Sequence, residues 1–163
     1  SLRVRYGRWS DLGRGRRPDR AAPPSQVRPT TIPDSERQAR VRLLIEMNSE
    51  ALIVLIYDAL YRLGFRANHT GFFYLSYSVL LCVRADTVQI PAAQLRAEVA
   101  WHYGTTPQTV KDQIHAAVTK VWRTDRAQME HAMGQRLERR PRDEEILTYL
   151  YGYITGQDME RQE

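Results

Sequence analysis

The residue types that could do chemistry in this chain gather between Gln108 and Thr119, as Gln108, Thr109, Lys111, Asp112, His115 and Thr119. Their chemistry is hydrogen bonding and charge rather than bond breaking. A glutamine amide can pair with adenine through two hydrogen bonds, and a lysine can reach guanine O6 or N7. A threonine offers a methyl or a hydroxyl, and a histidine can donate to a phosphate or a base edge. Asp112 can accept from cytosine N4 and otherwise repels a phosphate backbone. Just upstream, Thr105 and Thr106 could bond phosphates near the start of a helix, where N–H groups lack intrahelical partners.

Catalytic alternatives find little support. The histidines are His69, His102, His115 and His131, and none are paired at a metal-binding spacing such as HExxH. No Ser, His and acid set is marked by spacing. Glu144 and Glu145 are adjacent, so they face apart on a helix and read as a helix start. The one cysteine, Cys82, sits in an apolar run and reads as a buried thiol, which excludes a disulfide framework. Tyr149, Tyr151 and Tyr153 read as packing of the last helix rather than base stacking. The expectation is a non-enzyme with no cofactor and no metal.

The elements that must position these residues read as helices. Leu95, Val99 and Tyr103 are expected to face inward from a helix at about 92–103, with Ala100 small enough for a close crossing. Gly104 suits the positive φ of a tight turn. Thr106 reads as an N-cap and Pro107 as the first helical residue, where a missing N–H costs nothing. The following helix, 107–123, buries Val110, Ile114, Ala117 or Val118, and Val121, and turns the six polar residues outward. This spacing is that of a helix-turn-helix. Further helices are expected from Ser35, from about Ser49 as N-cap to a stop at Gly64, through the apolar block 71–83 capped by Thr70, and at 143–154. Residues 126–142 read as a partly ordered connection. The fold class is all-α, a compact helical bundle containing the helix-turn-helix.

Charge divides the chain differently. Of 163 residues, 24 are Lys or Arg and 19 are Asp or Glu, a formal net charge of +5. Residues 1–42 hold 11 Arg against Asp11, Asp19, Asp34 and Glu36, so they carry +7 and leave −2 for the rest. The same stretch is rich in Gly and Pro, which predicts a flexible basic arm over 1–34 ahead of a helical domain over 35–163. Arg14, Arg16 and Arg17, with Arg20 beside them, could touch phosphates. Gly13 and Gly15 lack the GK[ST] and flanking elements of a phosphate loop. Residues 1–10 lack a signal-peptide core, and no apolar run reaches the ~20 residues of a membrane helix. A first residue of Ser rather than Met suggests that the natural chain begins earlier.

Three stretches carry a family resemblance. They are TGFFYLSYSVLL at 70–81, LRAEVAWHYGTTPQTVKDQIHAAVTKVW at 95–122 and RRPRDEEILTYL at 139–150. In the second, Leu95, Ala100, Tyr103, Thr105, Thr106, Val110, Ile114 and the ending Ala117 to Trp122 carry the pattern, without a gap. Residues 49–154 thus resemble the C-terminal effector domain of the sporulation master response regulator of endospore-forming Firmicutes. The resemblance implies an all-helical transcription-factor domain, without a wing, that binds DNA through the helix starting near Pro107. In that family a phosphoacceptor receiver domain comes first. Residues 1–48 show no doubly wound α/β pattern, so phosphorelay control is not implied. The resemblance also implies basic residues where this chain has Thr109, Asp112 and His115. Lys111 replaces an acid, so the family's operator is not carried over.

The expectation is a sequence-specific DNA-binding transcriptional regulator, cytoplasmic and associated with the nucleoid, that reads the major groove with helix 107–123. Its expected partner is double-stranded DNA, with a homodimer on DNA as one arrangement and no membrane. Two alternatives stay open: a protein-interaction or accessory module on a reused fold, whose acidic body docks a protein partner, and non-specific nucleic-acid binding through the basic arm.

Overall fold

Apolar residues recur at helical spacing from Val41 to Ile154, and turn formers separate the segments. The computed structural model describes residues 33–156, and Arg14, Arg16, Arg17 and Arg20 lie outside them. Among the described residues there are seven helices and no strand. They are α1 (Asp34–Glu46), α2 (Ser49–Leu63), α3 (Thr70–Ala85), α4 (Ala92–Tyr103), α5 (Pro107–Thr124), α6 (Arg126–Met133) and α7 (Asp143–Thr155). The architecture is an all-α bundle.

α3 is the hub, and α1, α2, α4, α5 and α7 all pack on it. It can sit there because small residues let neighbours approach. A Cβ on Gly71 would overlap the Gln113 carbonyl oxygen of α5 and lie 2.8 Å from Ala117 Cβ. Ser76 and Ser78 are buried, but each hydroxyl donates to the carbonyl four residues back, Phe72 at 2.7 Å and Tyr74 at 2.9 Å. No buried donor is wasted there. Phe72, Leu75, Val79, Cys82 and Val83 fill the centre, together with Leu52, Ile56, Val99, Val118 and Leu150. Burial pushes the Cys82 thiol up to about 11, so it stays protonated and acts as an apolar filler.

Several boundaries differ from the sequence expectation. The cap of α2 is Asn48, not Ser49: the Asn48 side chain accepts from Ala51 N–H at 2.8 Å. The Ser49 hydroxyl instead lies 3.1 Å from the Arg84 guanidinium, which also donates to the Ile45 and Met47 carbonyls. Arg84 thereby ties the α1–α2 corner to α3. Thr70 is the first residue of α3, and His69 precedes it without a side-chain cap. Within 126–142 a full helix forms, α6. Its Glu130 accepts from Arg126 at 3.2 Å and from Leu137 N–H at 2.9 Å, closing the loop behind it.

No helix among the described residues is long and apolar enough to cross a membrane.

Candidate nucleic-acid interface

The α4–α5 corner is built from local rules. Gly104 ends α4 at φ +69°, and a Cβ there would meet nothing within 4 Å, so the backbone angle and not space demands glycine. The Thr105 N–H then bonds back to the Ala100 carbonyl at 2.9 Å. Thr106, extended at φ −107° and ψ 154°, caps α5 by accepting from Thr109 N–H at 3.1 Å. Pro107 follows as the first helical residue.

α5 is two-sided. Val110, Ile114, Ala117, Val118 and Val121 are buried, as the spacing predicts. Gln108, Lys111, Asp112 and His115 are exposed. The Gln108 amide donates to Asp112 Oδ1 at 2.8 Å, which leaves its carbonyl oxygen and second N–H facing out. The pair offers a donor and an acceptor together, and it holds the Asp112 carboxylate to one side. Thr109 is half-buried. Its hydroxyl accepts from Thr106 Oγ1 at 2.9 Å and keeps its own proton as a donor. Thr106 is exposed and Thr105 half-buried.

Two side chains do not stand where the sequence placed them. Thr119 does not face outward. It is half-buried, and its hydroxyl is buried without a hydrogen-bond partner. The cause is tertiary: α3, α4, α6 and α7 all pack on α5, so more of its surface is covered than helical period alone conveys. Tyr103 is 41% exposed rather than inward. Its ring lies 5.1 Å from Tyr74 and 5.9 Å from Tyr77, and its hydroxyl is 3.5 Å from the Phe73 carbonyl. Partial burial, with the nearby Tyr57, Tyr77 and Tyr74, raises the Tyr103 pKa.

The fold brings in one residue that sequence reasoning missed. Arg140, from the segment between α6 and α7, reaches His115 with Nη2 at 3.1 Å from Nδ1. It lies 25 positions away along the chain, and no local pattern signals the contact. Its neighbours Arg139 and Arg142 are both engaged by Glu145, at 2.9 Å and 3.7 Å.

Among the described residues no three His, Cys, Asp or Glu side chains are grouped to hold a metal ion. The surface therefore offers hydrogen bonds and charge along one helix face, next to a capped turn.

Residues 56–154, more than half of the chain, match the family described as sporulation initiation factor Spo0A C terminal, and the chain belongs to that family. Membership implies a DNA-binding regulatory role, and the domain is a non-catalytic effector. No curated protein and no solved structure matches the chain. The match begins within α2, so α1 lies outside it. α1 nonetheless belongs to the core through Val41 and Leu44, and its Arg40 donates to the Ile154 carbonyl at 3.1 Å.

Proposed function

We propose that this protein is a sequence-specific transcriptional regulator that lays α5 in the DNA major groove. The observation that carries the reading is the outward stripe Gln108, Lys111, Asp112 and His115 on a helix whose opposite side is wholly committed to the core. Such a helix presents donors and acceptors at fixed spacing, which is what base edges require. Gln108 and Lys111 read purines, and Asp112 both steadies Gln108 and disfavours a phosphate on its side. Thr105, Thr106 and Thr109 bond the backbone where α5 begins. Residues 1–34 act as a basic arm to the domain 35–163, with Arg14, Arg16 and Arg17 supplying affinity that the body, whose acidic and basic residues balance, lacks. A homodimer on DNA would double the contacted bases.

Selection of binding sites from random duplexes with the full chain tests this. The double variant Gln108→Ala, Lys111→Ala should lose discrimination between the selected and random duplexes by about 10- to 100-fold. Its helical circular dichroism and denaturation midpoint should not move, because both residues are exposed. Retained discrimination would sink the α5 assignment. Replacing Arg14, Arg16 and Arg17 by Ala should flatten the salt slope by about 2–3 and leave the preferred sequence unchanged. The accessory-module reading instead requires that the wild-type chain bind duplex no better than its arm does.

A further inference from the structure

His115 is the last residue of the exposed α5 stripe, and it is held from outside its own helix. Arg140 approaches its Nδ1 at 3.1 Å, and the same guanidinium lies 3.5 Å from Asp143 Oδ1 at the start of α7. With that second anchor the Arg140 side chain is only 22% exposed. Arg139 and Arg142 pair with Glu145 instead.

The chemistry of the contact is one-directional. A guanidinium has five N–H donors, no acceptor, and a proton that it does not release. His115 Nδ1 must therefore be the acceptor, with its lone pair in the ring plane. The ring proton then resides on Nε2. An imidazole in this state shows its outer side as a donor only.

Resting on the major-groove reading above, we propose that Arg140 is a positioning residue for sequence recognition: it locks His115 as an Nε2–H donor aimed at a base edge. A locked donor can donate to guanine O6 or N7, adenine N7 or thymine O4, and it opposes the cytosine N4 amino group. His115 thus selects against cytosine at one position of the contacted strand. Arg140 makes that selection without touching a base. A mobile ring could turn its accepting nitrogen outward and lose the preference.

The experiment is a double-mutant cycle in the full chain: His115→Ala, Arg140→Ala and the pair, each measured on duplexes carrying all four bases at every position of the selected site. His115→Ala and Arg140→Ala should each lose the same discrimination against cytosine, about tenfold, at the same position. The double variant should lose no more than either single one. Where Arg140→Ala disturbs the fold, Arg140→Met keeps the side chain's length and aliphatic packing and should give the same loss. In the DNA-free protein at pH 8, nitrogen NMR should show His115 Nδ1 unprotonated and hydrogen-bonded, a signature lost in either Arg140 variant. Uniform weakening across all duplexes, additive with His115→Ala, would overturn the proposal and make Arg140 a phosphate contact. If the wild-type chain discriminates no duplex, the major-groove reading and the specificity role both fall. The NMR signature still decides separately whether Arg140 locks the ring.

Discussion

α3 and α5 are close in length, 16 and 18 residues, and they pack directly on each other, yet the fold uses them in opposite ways. Ten residues of α3 are buried, spread around the helix, and even its serines turn their hydroxyls onto their own backbone. α5 buries five, all on one stripe. Every position of the α3 interior has a packing reason for its identity. Gln108, Lys111 and Asp112 have none, since nothing in the core touches them. Identity that the fold does not require is where a binding function can be written.

The sharpest way to break this contrast is at the point where the two helices meet. Gly71→Ala places a Cβ into the Gln113 carbonyl and against Ala117 Cβ. Backbone cannot yield as a side-chain tip can, so α5 must move off α3. The expected loss is about 3 kcal/mol or more, read from a urea melt. The proposed DNA-binding face would then shift without any of its residues being changed. A loss under about 1 kcal/mol would mean that α3 and α5 are less tightly keyed than the geometry states.

Much of this layout was legible in the sequence because it is local. Gly104, Thr106 and Pro107 write the α4–α5 corner within four residues, and the spacing of Val110, Ile114, Val118 and Val121 sets the buried side of α5. The sequence places the cap of α2 one position late because Asn48 and Ser49 are both good cap residues, and only the Arg84 contact shows why Ser49 is not used. The sequence predicts only a partly ordered connection over 126–142, where α6 forms: that helix is eight residues long, and its support comes from Met129 in the core and from Glu130 bonding Leu137. The candidate site was legible as a stripe but not as a neighbourhood. Burial of Thr119 comes from the helices packed around α5, and the reach of Arg140 to His115 from the segment between α6 and α7; no period along α5 encodes either.

The start of α7 sharpens the comparison from another side, because it is polar and on the surface like the outer face of α5, yet structural. Glu145 accepts from Arg139 at 2.9 Å and from the Arg142 N–H at 2.8 Å. The Arg139 hydrogen bonds, with the Arg142 N–H also contributing, hold its pKa down to about 2 from an ordinary 4.5. The native state therefore prefers the charged form. Its stabilisation is fully present above about pH 4.5 and is lost as pH falls toward 2. Glu145→Gln should lower stability at pH 7 by about 1.5 kcal/mol and flatten the acid limb of a stability–pH profile between those values. An unchanged acid limb would show that the cluster does not hold in solution. Gln108 and Asp112 are also hydrogen-bonded to each other, but that bond secures no helix end and no loop.

Thr106 sits on the line between the two kinds of residue. Its hydroxyl caps α5 through Thr109 N–H and also lies exposed beside the proposed phosphate path. Thr106→Ala should cost about 1 kcal/mol of stability, the ordinary worth of an N-cap. It should also weaken all duplexes by a similar factor, because a backbone contact carries no sequence information. Thr106→Ser keeps the hydroxyl and should restore both. The informative outcome is a split, in which serine rescues the melting point but not the binding. That would assign the threonine methyl to the DNA surface, as a contact with a thymine methyl, and would move Thr106 from the frame of the site into the part that reads sequence.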